Sequence, residues 1–139
     1  MDDETSLHFE LSSVRSPSEA RSFLLAALFF WGRRTDIPFV ELVSSELVTN
    51  AVRHVGGAID YRLRLDDETL RIEVTDSAWD RLPVMLSMPP SAEHGRGLQL
   101  VEALSTSWGC IRDGDRKTVW AELDLTSSRF QGVAERAAR

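Results

Sequence analysis

The sequence predicts an α+β fold: a two-layer sandwich in which three helices cover one face of a mixed, mostly antiparallel sheet. Three observations predict it. Two segments, "AIDYRLRLDDETLRIEVTDS" and "WGCIRDGDRKTVWAELDL", alternate apolar and polar residues on either side of a turn and read as hairpins. Three further segments carry apolar residues at helical spacing behind start signals. The elements then run strand, helix, helix, hairpin, loop, helix, hairpin, an order that puts helices in one layer and strands in the other.

The first strand is "LHFELSS" at 7–13, with Leu7, Phe9 and Leu11 on one face. Ser16, Pro17 and Glu19 form a capping box with Pro at the first helical position, opening a helix that should run to about Arg34. Pro38 starts the second helix, roughly 38–55, whose apolar face is Val40, Val43, Leu47 and Ala51; "VGG" ends it with glycines suited to a left-handed cap. In the first hairpin Ile59, Tyr61, Leu63 and Leu65 face one way, Asp66–Glu68 turn the chain, and Leu70, Ile72 and Val74 return on the same face. Residues 77–94, with Pro83, Pro89 and Pro90, form a long connection of the kind that is either functional or disordered. A third helix should begin at about Gly95. The last hairpin turns at "DGD" and alternates through Val119, Ala121, Leu123 and Leu125. One domain over 1–125 with a tail at 126–139 is the expected organisation.

Composition narrows the function classes. With 42% hydrophobic and 27% charged residues the chain has the make-up of a globular domain. A net charge of -6 argues against a nucleic-acid backbone as the main partner, which would call for a basic face. The longest apolar run, "FLLAALFFW" at 23–31, is too short to cross a bilayer, and "MDDETS" lacks a basic leader, so the expected address is the cytoplasm, with no membrane partner. Cys110 is the only cysteine, which leaves no intrachain disulfide. Lys117 is the sole lysine, so cationic contacts fall mainly to arginine.

Three polar features interrupt this plan. Glu46, Asn50 and His54 stand four apart in "ELVTNAVRH", and a four-residue step turns a helix by about 400°, so they line one side of it. That side is either a solvated strip or a cleft-facing line. In the second case an Asn oxygen suits Mg²⁺, which takes much of its shell from water and phosphates, and Glu46 one turn away could orient or deprotonate a nucleophile. Asp76 ends the inward row Leu70, Ile72, Val74, where a carboxylate must find a donor in the protein or in a ligand such as an adenine amine. A strand-end Asp capping a turn with Ser77 is the plain alternative. In "HGRGLQLV", Gly95 and Gly97 lie where a helix begins, so open backbone N–H groups and Arg96 could meet a phosphate.

Taken in order, "ELVTNAVRH", "IEVTDSAWDRLP", "GRGLQLV" and "KTVWAEL" resemble the N, D and G boxes and closing strand of the GHKL ATPases, over roughly residues 20 to 125. Within that superfamily the short chain resembles the anti-sigma factor serine/threonine kinases, especially the stand-alone ATP-binding regulators of actinobacteria. The resemblance implies a Bergerat-type ATP-binding fold, with ATP and Mg²⁺ as cofactors. Glu46 would be the general base or water-orienting residue, Asn50 the Mg²⁺ ligand, and Asp76 the adenine-reading carboxylate. Gly95, Arg96, Gly97 and Leu98 would lie at the phosphate side of a lid formed by 77–94, and Arg53 near the phosphate end; His54 is assigned to structure. Thr118 matches a threonine that supports the aspartate in the family, although strand parity sets it opposite Val119. Ala78 and Asp80 replace glycines that many members carry after that aspartate. The implied function is phosphorylation of a STAS-type anti-sigma-factor antagonist and sequestration of a sigma factor, in a homodimer. The alternatives are a nucleotide-dependent interaction module with little or no transfer, and an interaction domain that binds no nucleotide.

Overall fold

The computed structural model describes residues 5–11, 16–33, 37–54, 59–77 and 93–126, with side chains over 17–33, 37–51, 59–77 and 99–126. Five strands and three helices follow one another as β1 (Thr5–Leu11), α1 (Ser16–Phe30), α2 (Ile37–His54), β2 (Ile59–Asp66), β3 (Thr69–Asp76), α3 (Glu93–Leu104), β4 (Ser107–Asp113) and β5 (Arg116–Asp124). The sheet order is β1-β2-β3-β5-β4, and every neighbouring pair is antiparallel. The fold is thus the expected α+β sandwich, with a sheet that is wholly antiparallel rather than mixed. Both hairpins pair tightly through two-residue turns, and α3 is carried in the crossover from β3 to β4.

Period-two patterning decides the core. Ile59, Tyr61, Leu63 and Leu65 on β2, Leu70, Ile72 and Val74 on β3, and Val119, Ala121 and Leu123 on β5 are all buried. Against this face pack Ala20, Leu24, Ala27 and Leu28 of α1, Val40, Val43, Leu47, Val48 and Ala51 of α2, and Val101 and Leu104 of α3. Tyr61 carries a polar group into the middle of this core and finds a partner there. Its hydroxyl lies 2.6 Å from Ser44 Oγ of α2, and its ring meets Phe23 edge-on at 6.0 Å. Burial pushes the Tyr61 phenol far above its ordinary value, and the Ser44 hydrogen bond only partly offsets this.

Helix α1 stops at Phe30, four residues short of the expected end, because Gly32 takes the left-handed conformation with φ 73°. Gly32 N–H donates to Phe29 O at 3.0 Å and Arg33 N–H to Leu28 O at 2.8 Å, the paired bonds of a Schellman cap. The chain is then clamped to the β2–β3 turn, where Arg33 bonds Glu68 Oε2 at 2.8 Å and the Asp67 carbonyl at 3.0 Å. At the other ends the expectations differ from the structure by a residue or two: α2 starts at Ile37, with Pro38 in its first turn, and α3 at Glu93 rather than about Gly95. The glycines after α2, most of the 77–94 connection and the tail beyond Thr126 lie outside the described residues.

The opposite face of the sheet carries the polar partners of each alternation. Arg71 bonds Glu73 at 2.6 Å and Glu122 at 2.8 Å and lies 4.2 Å over the Trp120 ring. Trp120 in turn covers Gly109, where a Cβ would come within 3.0 Å of the indole. Trp120 is accounted for by packing within the sheet.

Candidate functional site

The two rows of core-facing side chains on β3 and β5 end in opposite charges. Asp76 follows Leu70, Ile72 and Val74, and Lys117 precedes Val119, Ala121 and Leu123; the two are direct cross-strand partners. Asp76 is 1% exposed and Lys117 0% exposed. The Lys117 ammonium lies 3.8 Å from Asp76 Oδ2, which is ion-pair rather than hydrogen-bond distance. Taking two charges out of water costs several kcal/mol per ion before their attraction is counted. A hydrophobic pair would fill the same positions without that cost, so the ends of these rows differ in kind from the rest of the core.

Helix α2 lies over the same face, in contact with β3, β5 and α3. The Ser44–Tyr61 bond sets its position on the sheet, since Tyr61 is in register with Val74, two residues before Asp76. Asn50 stands six residues beyond Ser44, about 9 Å along the helix axis. It is 7% exposed, and its buried Nδ2 has no hydrogen-bond partner. An amide left in that state costs about 1–3 kcal/mol, which the helix would avoid with leucine or alanine there. Glu46, one turn earlier, is only half buried. The stripe is therefore graded, dry at Asn50 and wetter at Glu46.

Other expected positions are placed by backbone alone. Arg53 is in the last turn of α2. Gly95 and Arg96 fall inside the first turn of α3, and Gly97 and Leu98 follow one step into the helix rather than preceding it. The free N–H groups at this end therefore belong to residues 93–96. Ala78 and Asp80 lie outside the described residues.

Thr118 is a correction. Its hydroxyl lies 2.7 Å from Thr75 Oγ1 on the helix-free face of the sheet, turned away from Asp76. Alternation along β5 forces this, because Val119 faces the core and its neighbours cannot. The residue beside Asp76 is Lys117. The same alternation that buries Val119, Ala121 and Leu123 extends back to Lys117, so the signal was present and the charge disguised it. On the next strand Cys110 is half buried; burial pushes its thiol above the ordinary value, Lys117 and Arg112 pull it down, and Asp76 adds to the rise.

This donor set suits a nucleotide carrying its own metal. Among the described residues no three His, Cys, Asp or Glu side chains come together to hold an ion. One neutral amide oxygen from Asn50 is enough where phosphates and water complete the shell. A separate open groove of about 470 Å³ lies between α1 and α2, lined by Pro17, Arg21, Leu24, Pro38, Glu41 and Leu42. It shares no residue with the site, and the Arg21–Glu41 ion pair at 2.9 Å on its wall is two-thirds exposed at the arginine. The buried charges, not this groove, mark the place with unusual chemistry.

A family model described as a histidine kinase-like ATPase domain matches residues 13–123. No curated protein matches the sequence. In structure the chain is similar to the RsbU and RsbW domains of Rv1364c from Mycobacterium tuberculosis, with a TM-score of 0.65 and 22% sequence identity. The alignment covers 86% of this chain and 32% of that one, so this chain spans about a third of that protein's length, and the likeness is one of fold.

Proposed function

Because this chain belongs to the histidine kinase-like ATPase domain family, we propose that it is an ATP-binding anti-sigma factor and Mg²⁺-dependent serine/threonine protein kinase. Its substrate would be a STAS-type anti-sigma-factor antagonist and its other partner a sigma factor, with transcription regulated by the exchange between them. The observation that carries the reading is Asp76, a carboxylate ending an otherwise apolar core row beneath the helix that bears the unpartnered amide of Asn50.

In this reading Asp76 accepts a hydrogen bond from the exocyclic amine of adenine. Asn50 would hold the metal through its amide oxygen. Bound Mg²⁺ would neutralise phosphate charge and hold the triphosphate in one geometry. Arg53, Arg96 and the free backbone N–H groups in the first turn of α3, that of Gly95 among them, serve the phosphates from the ends of α2 and α3. Glu46 accepts the proton of the partner's hydroxyl as that oxygen bonds the γ-phosphorus and ADP departs. Its half-exposed position on the stripe of Asn50 fits a group that must meet both solvent and substrate. Thr118, on the far face of the sheet, has no part in this scheme. No helix among the described residues is long and apolar enough to cross a membrane, and we place the protein in the cytoplasm as a homodimer.

Titration calorimetry with ATP, with and without Mg²⁺, tests the nucleotide reading; Asp76→Ala should abolish binding. Labelled ATP with candidate antagonists then tests transfer, and equal labelling by Glu46→Ala would remove that residue from the mechanism. A second reading, nucleotide-dependent binding without transfer, is favoured by Ala78 and Asp80 in "DSAWD". An extra carboxylate, and side chains where glycine would leave the backbone freer, oppose phosphate approach. It predicts nucleotide binding with no labelled partner.

A further inference from the structure

The only lysine of the chain is wholly buried, and it faces the one carboxylate that ends a core row. We propose that Lys117 is the second half of the purine-reading pair, donating to adenine N1 while Asp76 accepts from the 6-amine. This deepens the nucleotide-binding reading and rests on it.

Asp76 and Lys117 offer complementary chemistry in a dry place. A lysine used only to balance Asp76 is a costly choice, since a buried ion pair is commonly no more stabilising than apolar side chains of similar volume. Register puts the two head groups at the same end of the same sheet face, 3.8 Å apart, so a planar ligand edge that meets one is brought beside the other. An ammonium carries three donors and can serve Asp76 and a ligand atom together. Adenine presents a donor amine at C6 next to an acceptor at N1, which matches an acceptor beside a donor. Guanine, laid down the same way, would set its O6 acceptor against the carboxylate and its N1–H against the ammonium. Both mismatches would be buried, where unmatched polar groups cost most. On β4 the Cys110 thiol feels both members of the pair as well as Arg112.

The test uses ADP and 1-deaza-ADP, in which N1 is replaced by C–H and the 6-amine is kept, both with Mg²⁺ and the full chain. Wild type should bind 1-deaza-ADP more weakly by on the order of ten- to a hundredfold, the loss of one charge-assisted hydrogen bond. Lys117→Met should weaken ADP by a similar factor and bind the two ligands alike. Equal affinity of wild type for both nucleotides overturns the proposal, whatever the fate of the variant. So does a Lys117→Met chain that still prefers ADP by the wild-type factor, since the lysine would then act only through the fold. Absence of any ADP binding by wild type removes the nucleotide reading itself, and this inference with it.

Discussion

Replacing Asp76 with asparagine keeps the side-chain volume and removes the negative charge that faces the buried Lys117 ammonium. At 3.8 Å, two unit charges interact by about 4 kcal/mol with an effective dielectric constant of about 20. Removing one partner of a buried pair typically costs about 3–5 kcal/mol, the same range. Neither group is more than 1% exposed, so solvent screening does not discount the figure. Asp76→Asn should therefore lose about 3–4 kcal/mol in urea denaturation near neutral pH, and Lys117→Met a similar amount. The double variant should be less damaged than the sum of the two, because it leaves no uncompensated charge. Single losses below about 1 kcal/mol that add without coupling would refute the reasoning, since they would mean that the pair is hydrated.

Two further outcomes follow from local geometry. Tyr61 is the only tyrosine, and burial raises its phenol from 10.0, so the phenolate absorbance step should move up in the folded chain and return to the ordinary range in denaturant. The folded phenol holds its proton after the unfolded one has lost it. This contribution to stability is therefore complete below pH ~10 and declines above it; a titration identical in folded and unfolded chains would contradict the Ser44–Tyr61 packing. Gly32→Ala meets no atom within 4 Å but must hold φ 73°, so it should cost about 1–2 kcal/mol from backbone strain alone. A neutral result in thermal or urea unfolding would show that the cap of α1 relaxes elsewhere.

Local rules account for most of what was legible. Alternation along Ile59–Asp66, Thr69–Asp76 and Arg116–Asp124 announced the hairpins, because a residue's face in a strand depends only on its parity. Capping residues at Ser16–Glu19 and the glycine of "DGD" placed a helix start and a turn for the same reason: each acts within a few residues of itself. The early stop of α1 is local as well, since Gly32 and Arg33 close its cap, but the apolar run continues through Trp31 and hides the boundary. The three box-like stretches and their order were visible as well, and they carried the family on residue types alone.

What the sequence determined by itself was therefore which side chains share a face, and that Glu46, Asn50 and Asp76 break apolar patterns that nothing local explains. Only the tertiary structure decided which face meets which. The register Asp76↔Lys117 comes from pairing two strands separated by α3 and its long connection, and no short-range rule counts across such a gap. That long-range pairing made Lys117 the buried partner of the aspartate, while parity along β5 alone had set the side taken by Thr118.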